Sequence, residues 1–191
     1  MIAGAKDATR WAARLRAPFA TLGVRTDGRA VTRLAYLARD VAEQAPTDRV
    51  AERALRELAR YLDDSEFVFT VPLAPGGTPF QRMVWDAIRA IPLRESRTYG
   101  EIAHRVRSAP RAIGQACGAN RIALIIPCHR VVGSRGALGG FMGAADPARR
   151  ARSRPGAKHD DLFDGALRAR DEDPLAIKRW LLAHEGYRFG A

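Results

Sequence analysis

Lysine is nearly missing from this 191-residue chain: Lys6, Lys158 and Lys178 stand against 29 arginines. The cationic excess is still large, with 32 Lys+Arg to 21 Asp+Glu and a formal net charge of +11. Charge carried by arginine suits bidentate contact with phosphates and base edges, and equally describes a solvated surface of skewed composition. Cysteine is scarce too. Cys117 and Cys128 cannot make a disulfide framework, and two reduced thiols fit a cytosolic compartment. No apolar run approaches the roughly 18 residues of a membrane span. Met1 to Arg16, carrying Lys6, Asp7, Arg10, Arg14 and Arg16, lacks the apolar stretch of a secretory signal, so a cytoplasmic protein with no membrane partner is expected. There is no internal repeat, which excludes a solenoid. What remains is 47% apolar residues, enough to build the cores of one or two small domains.

Turn and cap signals divide the chain. Phe19 to Arg25 and Ala30 to Leu37 are β-favouring stretches around Thr26-Asp27-Gly28-Arg29, where Asp-Gly signals a hairpin. Thr47 or Asp48 can cap a helix whose Val50, Ala54, Leu55, Leu58, Ala59 and Leu62 recur at helical spacing, and Phe67 to Val71 reads as a short strand. Pro72, Pro75, Gly76 and Gly77 break regular structure and set a boundary between a domain of residues 1–73 and a second of residues 74–191.

In the second domain Thr78 and Pro79 open a helix to about Ile91, burying Phe80, Val84, Ile88 and Ile91. Thr98-Tyr99-Gly100-Glu101 is a capping box for a short helix and Pro110 starts another, which together make a helix-turn-helix candidate. The second of these helices is dominated by small side chains. That smallness costs helix stability and invites close approach by another helix or by DNA. Leu124, Ile125 and Ile126 predict a buried strand running into Pro127-Cys128-His129-Arg130, and Val131-Val132 resumes β character before a turn at Gly133 to Gly136. Asp173 and Pro174 start a last helix with Leu175, Ile177, Leu181 and Leu182, stopped by Gly186. Between them an inserted loop at about 144–173, rich in Arg, Asp, Ala and Gly, is expected to be a mobile segment or functional lid.

A free cysteine is usually a small buried hydrophobe. Cys128 is set apart because it follows a proline, adjoins His129 and precedes Arg130. A base and a positive field are then at hand to turn a thiol of ordinary pKa about 8.5 into thiolate. Neighbouring side chains on a strand point to opposite faces, so a turn or a bridging water is needed before His129 can serve the sulfur. A Cys-His nucleophile also calls for a group that orients the imidazole, and Glu185, near the end of the last helix, is the carboxylate of choice. No metal is expected, because no second cysteine pair or spaced histidine pair accompanies this one and His104, His159 and His184 are scattered.

Ile126-Pro127-Cys128-His129-Arg130-Val131-Val132 resembles the active-site motif of the O6-alkylguanine-DNA alkyltransferases, or methylated-DNA–protein-cysteine methyltransferases. The resemblance continues through Gly77 to Arg82, Val84-Trp85, Thr98 to Ala103, Arg111 to Gly114, Gly139-Gly140-Phe141 and Lys178 to Gly186, while the first 73 residues match only in size and hairpin-plus-helix character. It implies an α/β plus α architecture: an N-terminal ribonuclease-H-like α/β domain, then a mainly helical, winged-helix-like domain with a helix-turn-helix. The implied partner is double-stranded DNA containing O6-alkylguanine, entered at the minor groove by a monomer that rotates the damaged nucleotide out of the stack. The implied reaction is direct, irreversible transfer of the alkyl group, typically methyl, to Cys128, once per molecule and without a cofactor, with O4-alkylthymine left open as a further substrate.

By the same resemblance His129 is the base acting on the thiol through water, Glu185 polarises it, Asn120 braces the network and Tyr99 hydrogen-bonds the flipped guanine. Arg111 matches the finger that fills the vacated space, on a helix whose Ala112 and Gly114 face DNA. Cys117, Val131, Leu138, Phe141 and Met142 border the guanine pocket. The chain departs from the pattern in a turn two residues shorter between Tyr99 and Arg111, in Arg121 where proline is usual, in Phe141 where tyrosine is common, and in the 144–173 insertion. Two other readings are a noncatalytic helix-turn-helix protein that marks alkylated DNA and a cysteine hydrolase using Cys128, His129 and Glu185, the latter without an oxyanion-hole motif.

Overall fold

Asp27 and Gly28 make the hairpin turn expected from the sequence in the computed structural model, which describes residues 11–141 and 173–188. Asp27 Oδ1 accepts the backbone N–H groups of Arg29 (2.9 Å) and Ala30 (2.8 Å), and Gly28 takes the left-handed φ of +82° that the turn demands. The turn joins β2 (Thr21–Thr26) to β3 (Val31–Leu37), antiparallel, with the register shifting at Arg25/Thr26. An additional strand, β1 (Ala13–Arg16), adds to the free edge of β2, so the sheet order is β1-β2-β3.

Helix α1 (Arg49–Asp63) covers this sheet with Ala51, Ala54, Leu58 and Tyr61 buried. Asp48 is its cap: Oδ1 accepts from Ala51 N at 2.8 Å while Oδ2 accepts the Thr26 hydroxyl at 2.6 Å, so one carboxylate starts the helix and ties it to β2.

The strand expected at Phe67 to Val71 does not form; the segment is irregular, and only Leu73 makes an isolated bridge, to Val31. Its backbone donors go elsewhere. Buried Glu57 accepts N–H groups from Thr70 (2.8 Å) and Val71 (2.9 Å), the Thr70 hydroxyl (2.7 Å) and Arg53 Nε (2.9 Å). Burial pushes the Glu57 carboxyl up, but the bonds from Thr70, Arg53 and Val71 together hold it below its ordinary 4.5.

The folded state thus binds fewer protons at Glu57 than the unfolded chain does near that value. Stability from this carboxylate is complete above the unfolded pKa and drains away as pH falls through the folded one. Glu57→Gln, which turns an NH2 group toward donors, should cost about 3 kcal/mol at neutral pH in urea unfolding and flatten part of the loss seen on acidification.

The chain divides into two compact units, Met1–Ala74 and Pro75–Ala191. The second opens with α2 (Pro79–Arg89), where Thr78 and Gln81 form a reciprocal capping box. Val84, Trp85 and Ile88 are buried, whereas Phe80, expected in the core, is only half-buried. The Trp85 indole N–H donates to Ala116 O at 2.8 Å and so fastens α2 to α4 (Pro110–Gly118). Between them lies α3 (Tyr99–Arg105), capped by Thr98 and Glu101 and linked to α4 by four residues that include Arg107 at a φ of +51°.

Leu124 to Ile126 also departs from the expected strand. Leu124 adopts a φ of +71°, Ile125 N bonds Ala123 O, and the segment is a buried turn. Helix α5 (Pro174–His184) closes the unit, with Asp173 capping it and Gly186 (φ +73°) ending it. The fold is mixed α/β.

Candidate active site

Pro127 delivers the chain into a single 3-10 turn, Cys128–Arg130, and this turn settles how adjacent side chains reach different partners. With about three residues per turn, successive side chains fan out by a third of a circle instead of alternating across a strand. Cys128 therefore faces Asn120 while His129 faces Glu185. Directly after the turn, β5 (Val131–Val132) pairs in parallel with β4 (Arg97–Thr98), which brings Tyr99, the next residue after β4, to the same region.

Asn120 is a buried staple. Its Oδ1 accepts from Ile122 N (3.0 Å), and its Nδ2 donates to Ile126 O (2.9 Å) and to Cys128 Sγ (3.4 Å), so the amide that shapes the turn also touches the sulfur. Cys128 is 6% exposed. Burial pushes its thiol up, against the bond from Asn120 and the charge of Lys178, and the net direction is upward. Desolvation thus outweighs the nearby positive field and favours the thiol form, so a base is needed to convert it into thiolate.

His129 is completely buried, and its Nε2 lies 2.9 Å from Glu185 Oε1. An ionised carboxylate only accepts, which assigns the proton to Nε2 and leaves Nδ1 as a lone-pair acceptor. Nδ1 is itself buried with no hydrogen-bond partner among the described residues. Burial drives the imidazole below its ordinary pKa and hence neutral, Arg130 and Lys178 pushing the same way against Glu185. For Glu185 burial is again opposed, and here His129 and Arg130 prevail and keep the carboxyl ionised.

Arg130 does not serve the sulfur. Its Nε and Nη2 grip Glu185 Oε2 (2.8 Å) and Oε1 (2.9 Å), and its Nη1 donates to Ile91 O (2.7 Å). The cation acting on the thiol is Lys178, which the sequence reasoning passed over as a site residue. It is fully buried, and its Nζ donates to Val131 O (2.6 Å), Leu138 O (2.5 Å) and Gly140 O (3.4 Å) and lies 6.0 Å from the Phe141 ring. Burial pushes the ammonium down to about 8 against the pull of both thiols. A signal was present: one of only three lysines sits on the apolar stripe of Leu175, Leu181 and Leu182.

The other proposed pocket residues surround this point. Tyr99 Oη donates to Gly140 O at 2.9 Å. A Cβ on Gly139 (φ +70°) would come within 2.9 Å of the Tyr99 ring and 3.1 Å of Gly133 N, so only glycine fits. Val131 and Phe141 are buried, Leu138 is half-buried, and Cys117 has a thiol raised by burial and by the neighbouring Cys128. Met142 and residues 144–172 of the insertion lie outside the described residues.

On α4, Ile113 and Ala116 pack inward. Arg111 is exposed, Ala112 is half-buried, and a Cβ on Gly114 would meet nothing within 4 Å. Internal packing therefore accounts for part of the small-residue pattern and leaves Gly114 on an open side. Among the described residues no cluster of three or more His, Cys, Asp or Glu could hold a metal, and no helix is long and apolar enough to cross a membrane.

Residues 79–154 match the family of the 6-O-methylguanine DNA methyltransferase DNA binding domain. A methylated-DNA–protein-cysteine methyltransferase of Methanosarcina mazei is 37% identical over 139 residues, covering 69% of this chain and 88% of that protein. One from Methanosarcina acetivorans is 47% identical over 95 residues, covering 49% of this chain and 61% of its own length. Among solved structures, the Mycobacterium tuberculosis O6-methylguanine methyltransferase superposes with a TM-score of 0.65 at 30% identity over 90% of each chain. The M. tuberculosis OGT in complex with DNA gives 0.60 at 36% identity over 72% of this chain and 87% of that one. Fold and site thus define a methyltransferase class with a DNA-binding domain. The chain belongs to the family of methylated-DNA–protein-cysteine methyltransferases.

Proposed function

We propose that the protein repairs double-stranded DNA by moving the alkyl group of O6-alkylguanine irreversibly onto Cys128. The observation that carries this is the 3-10 turn that holds Cys128 on the Asn120 amide while presenting His129 to Glu185. The reaction is a displacement at the alkyl carbon. The S–C bond forms as the C–O6 bond breaks; His129 Nδ1 takes the thiol proton through a bridging water, the departing guanine takes one proton at N1 from water, and His129 returns its proton to water, so thiol plus O6-alkylguanine gives thioether plus guanine with no net proton change. A proton is needed nowhere else in the balance, and the thioether has no ready leaving group, so each molecule reacts once.

DNA is the partner. The exposed Arg111 enters the stack in place of the extruded base, with Ala112 and open-sided Gly114 allowing the α3–α4 helix-turn-helix to approach the groove closely. Tyr99 turns its hydroxyl from the Gly140 carbonyl to the flipped guanine, and Cys117, Val131, Leu138 and Phe141 line the pocket. The finer architecture, a ribonuclease-H-like first unit and a winged-helix-like second, belongs to the same reading, as do a monomeric state and a cytoplasmic location.

Intact-mass measurement after exposure to duplex DNA carrying O6-methylguanine tests the proposal. The protein should gain the mass of one CH2 and no more, however long it is incubated with excess lesion. An unchanged mass, or methyl released continuously into solution, would refute it.

A further inference from the structure

Resting on the reading of Cys128 as the acceptor, we infer that Arg130 is a positioning residue of the transfer reaction, holding the Glu185 carboxylate so that His129 keeps its proton on Nε2 and its lone pair on Nδ1. The geometry is a fork. Arg130 Nε and Nη2 engage the two carboxylate oxygens separately, at 2.8 and 2.9 Å, and the second of these, Oε1, is the oxygen that meets His129 Nε2 at 2.9 Å. One oxygen thus accepts from a guanidinium and an imidazole together, which fixes the carboxylate in rotation as well as position. The third guanidinium contact, Nη1 to Ile91 O at 2.7 Å, anchors the fork to the chain just beyond α2. Glu185 lies 56 residues from His129 and 55 from Arg130, so no local constraint orients the carboxylate toward the turn that carries both.

Charge balance explains why the site needs a cation here. Glu185 and His129 have side-chain exposures of 2% and 0%. A buried carboxylate facing only a neutral imidazole would capture a proton, either on itself or on the ring, and in both cases Nδ1 loses its use as a base. Arg130 supplies the compensating charge. The field of Lys178 from α5 also reaches His129, but its ammonium is spent on three backbone carbonyls.

The test is the pH profile of single-turnover transfer from excess DNA carrying radiolabelled O6-methylguanine, for wild type, Arg130→Met and Arg130→Lys. In Arg130→Met the His129–Glu185 pair should hold its proton to higher pH. The acid limb then moves up by about one unit or more, a tenfold or greater loss near pH 6, while the rates converge near pH 9. Arg130→Lys, which keeps the charge without the fork, should shift less. On a Glu185→Gln background the Arg130→Met change should produce no shift.

A purely structural arginine would lower the rate evenly across pH, and a limb that stays in place in both variants overturns the inference. If Arg130→Met does not fold, Arg130→Lys decides by the same criterion. Absence of transfer by wild type would instead sink the reading of Cys128 itself, so the two failures are distinct.

Discussion

Cys128→Ala should abolish alkyl transfer completely while leaving a folded protein that still binds DNA. Chemistry sets the size of the effect. Cys117 is the other thiol; burial together with the neighbouring Cys128 pushes it up, and it lies outside the turn that carries His129. The structural cost is small by comparison. Asn120 keeps its bonds to Ile122 N and Ile126 O when the sulfur is removed, so the turn persists and the loss should be about 1 kcal/mol. Radiolabel counted on the protein after incubation with lesion-bearing duplex, beside a gel-shift titration of the same sample, separates the outcomes. Label retained on the variant would move the acceptor to another residue, and lost DNA binding would show that the alanine had disrupted more than the reaction.

Lys178→Met should be the most damaging change outside the reacting groups. Methionine fills much of the same volume but offers no donor, which strands the carbonyls of Val131, Leu138 and Gly140 where Lys178 Nζ now bonds them. Each buried carbonyl left unpaired costs about 1–3 kcal/mol. The second loss is electrostatic. Without the ammonium the thiol rises further, and each unit of rise removes about nine-tenths of the remaining thiolate at neutral pH. Transfer near pH 7 should therefore fall at least about tenfold, and part of the loss should return in alkaline buffer, where the thiol ionises unaided. Rate against pH, with urea unfolding alongside, distinguishes these components. A variant as fast as wild type at pH 7 would show that the lysine serves only the packing of residues 131–141.

The features most readable in the amino-acid order were those whose signals are local. Asp48, Thr78, Thr98 and Asp173 each cap a helix where a side-chain oxygen precedes an apolar periodic stretch, and the structure places helix starts at all four. The pairing of Glu185 with His129 was also expected, because a nucleophilic Cys-His dyad calls for a third group. Features that failed depend on polar side chains outside the apolar stretch itself. The apolar stretches at Phe67 to Val71 and Leu124 to Ile126 have strand composition, yet the Glu57 carboxylate takes the donors of the first and the Asn120 amide stitches the second into a turn. Arg130 looked like a field for the sulfur from adjacency alone, whereas the 3-10 turn swings it to Glu185 and leaves that task to a lysine on the last helix.

His129 and Glu185 meet across 56 residues of sequence, and residues 142–172 make up more than half of them. The entropy of closing such a loop grows only with the logarithm of its length, about 0.6 kcal/mol for each doubling. By that rule the number of residues between histidine and glutamate changes little of what it costs to bring them together. Natural variation is thermodynamically cheap at this point of the chain, which is where an insertion of this size does least harm to the dyad it spans.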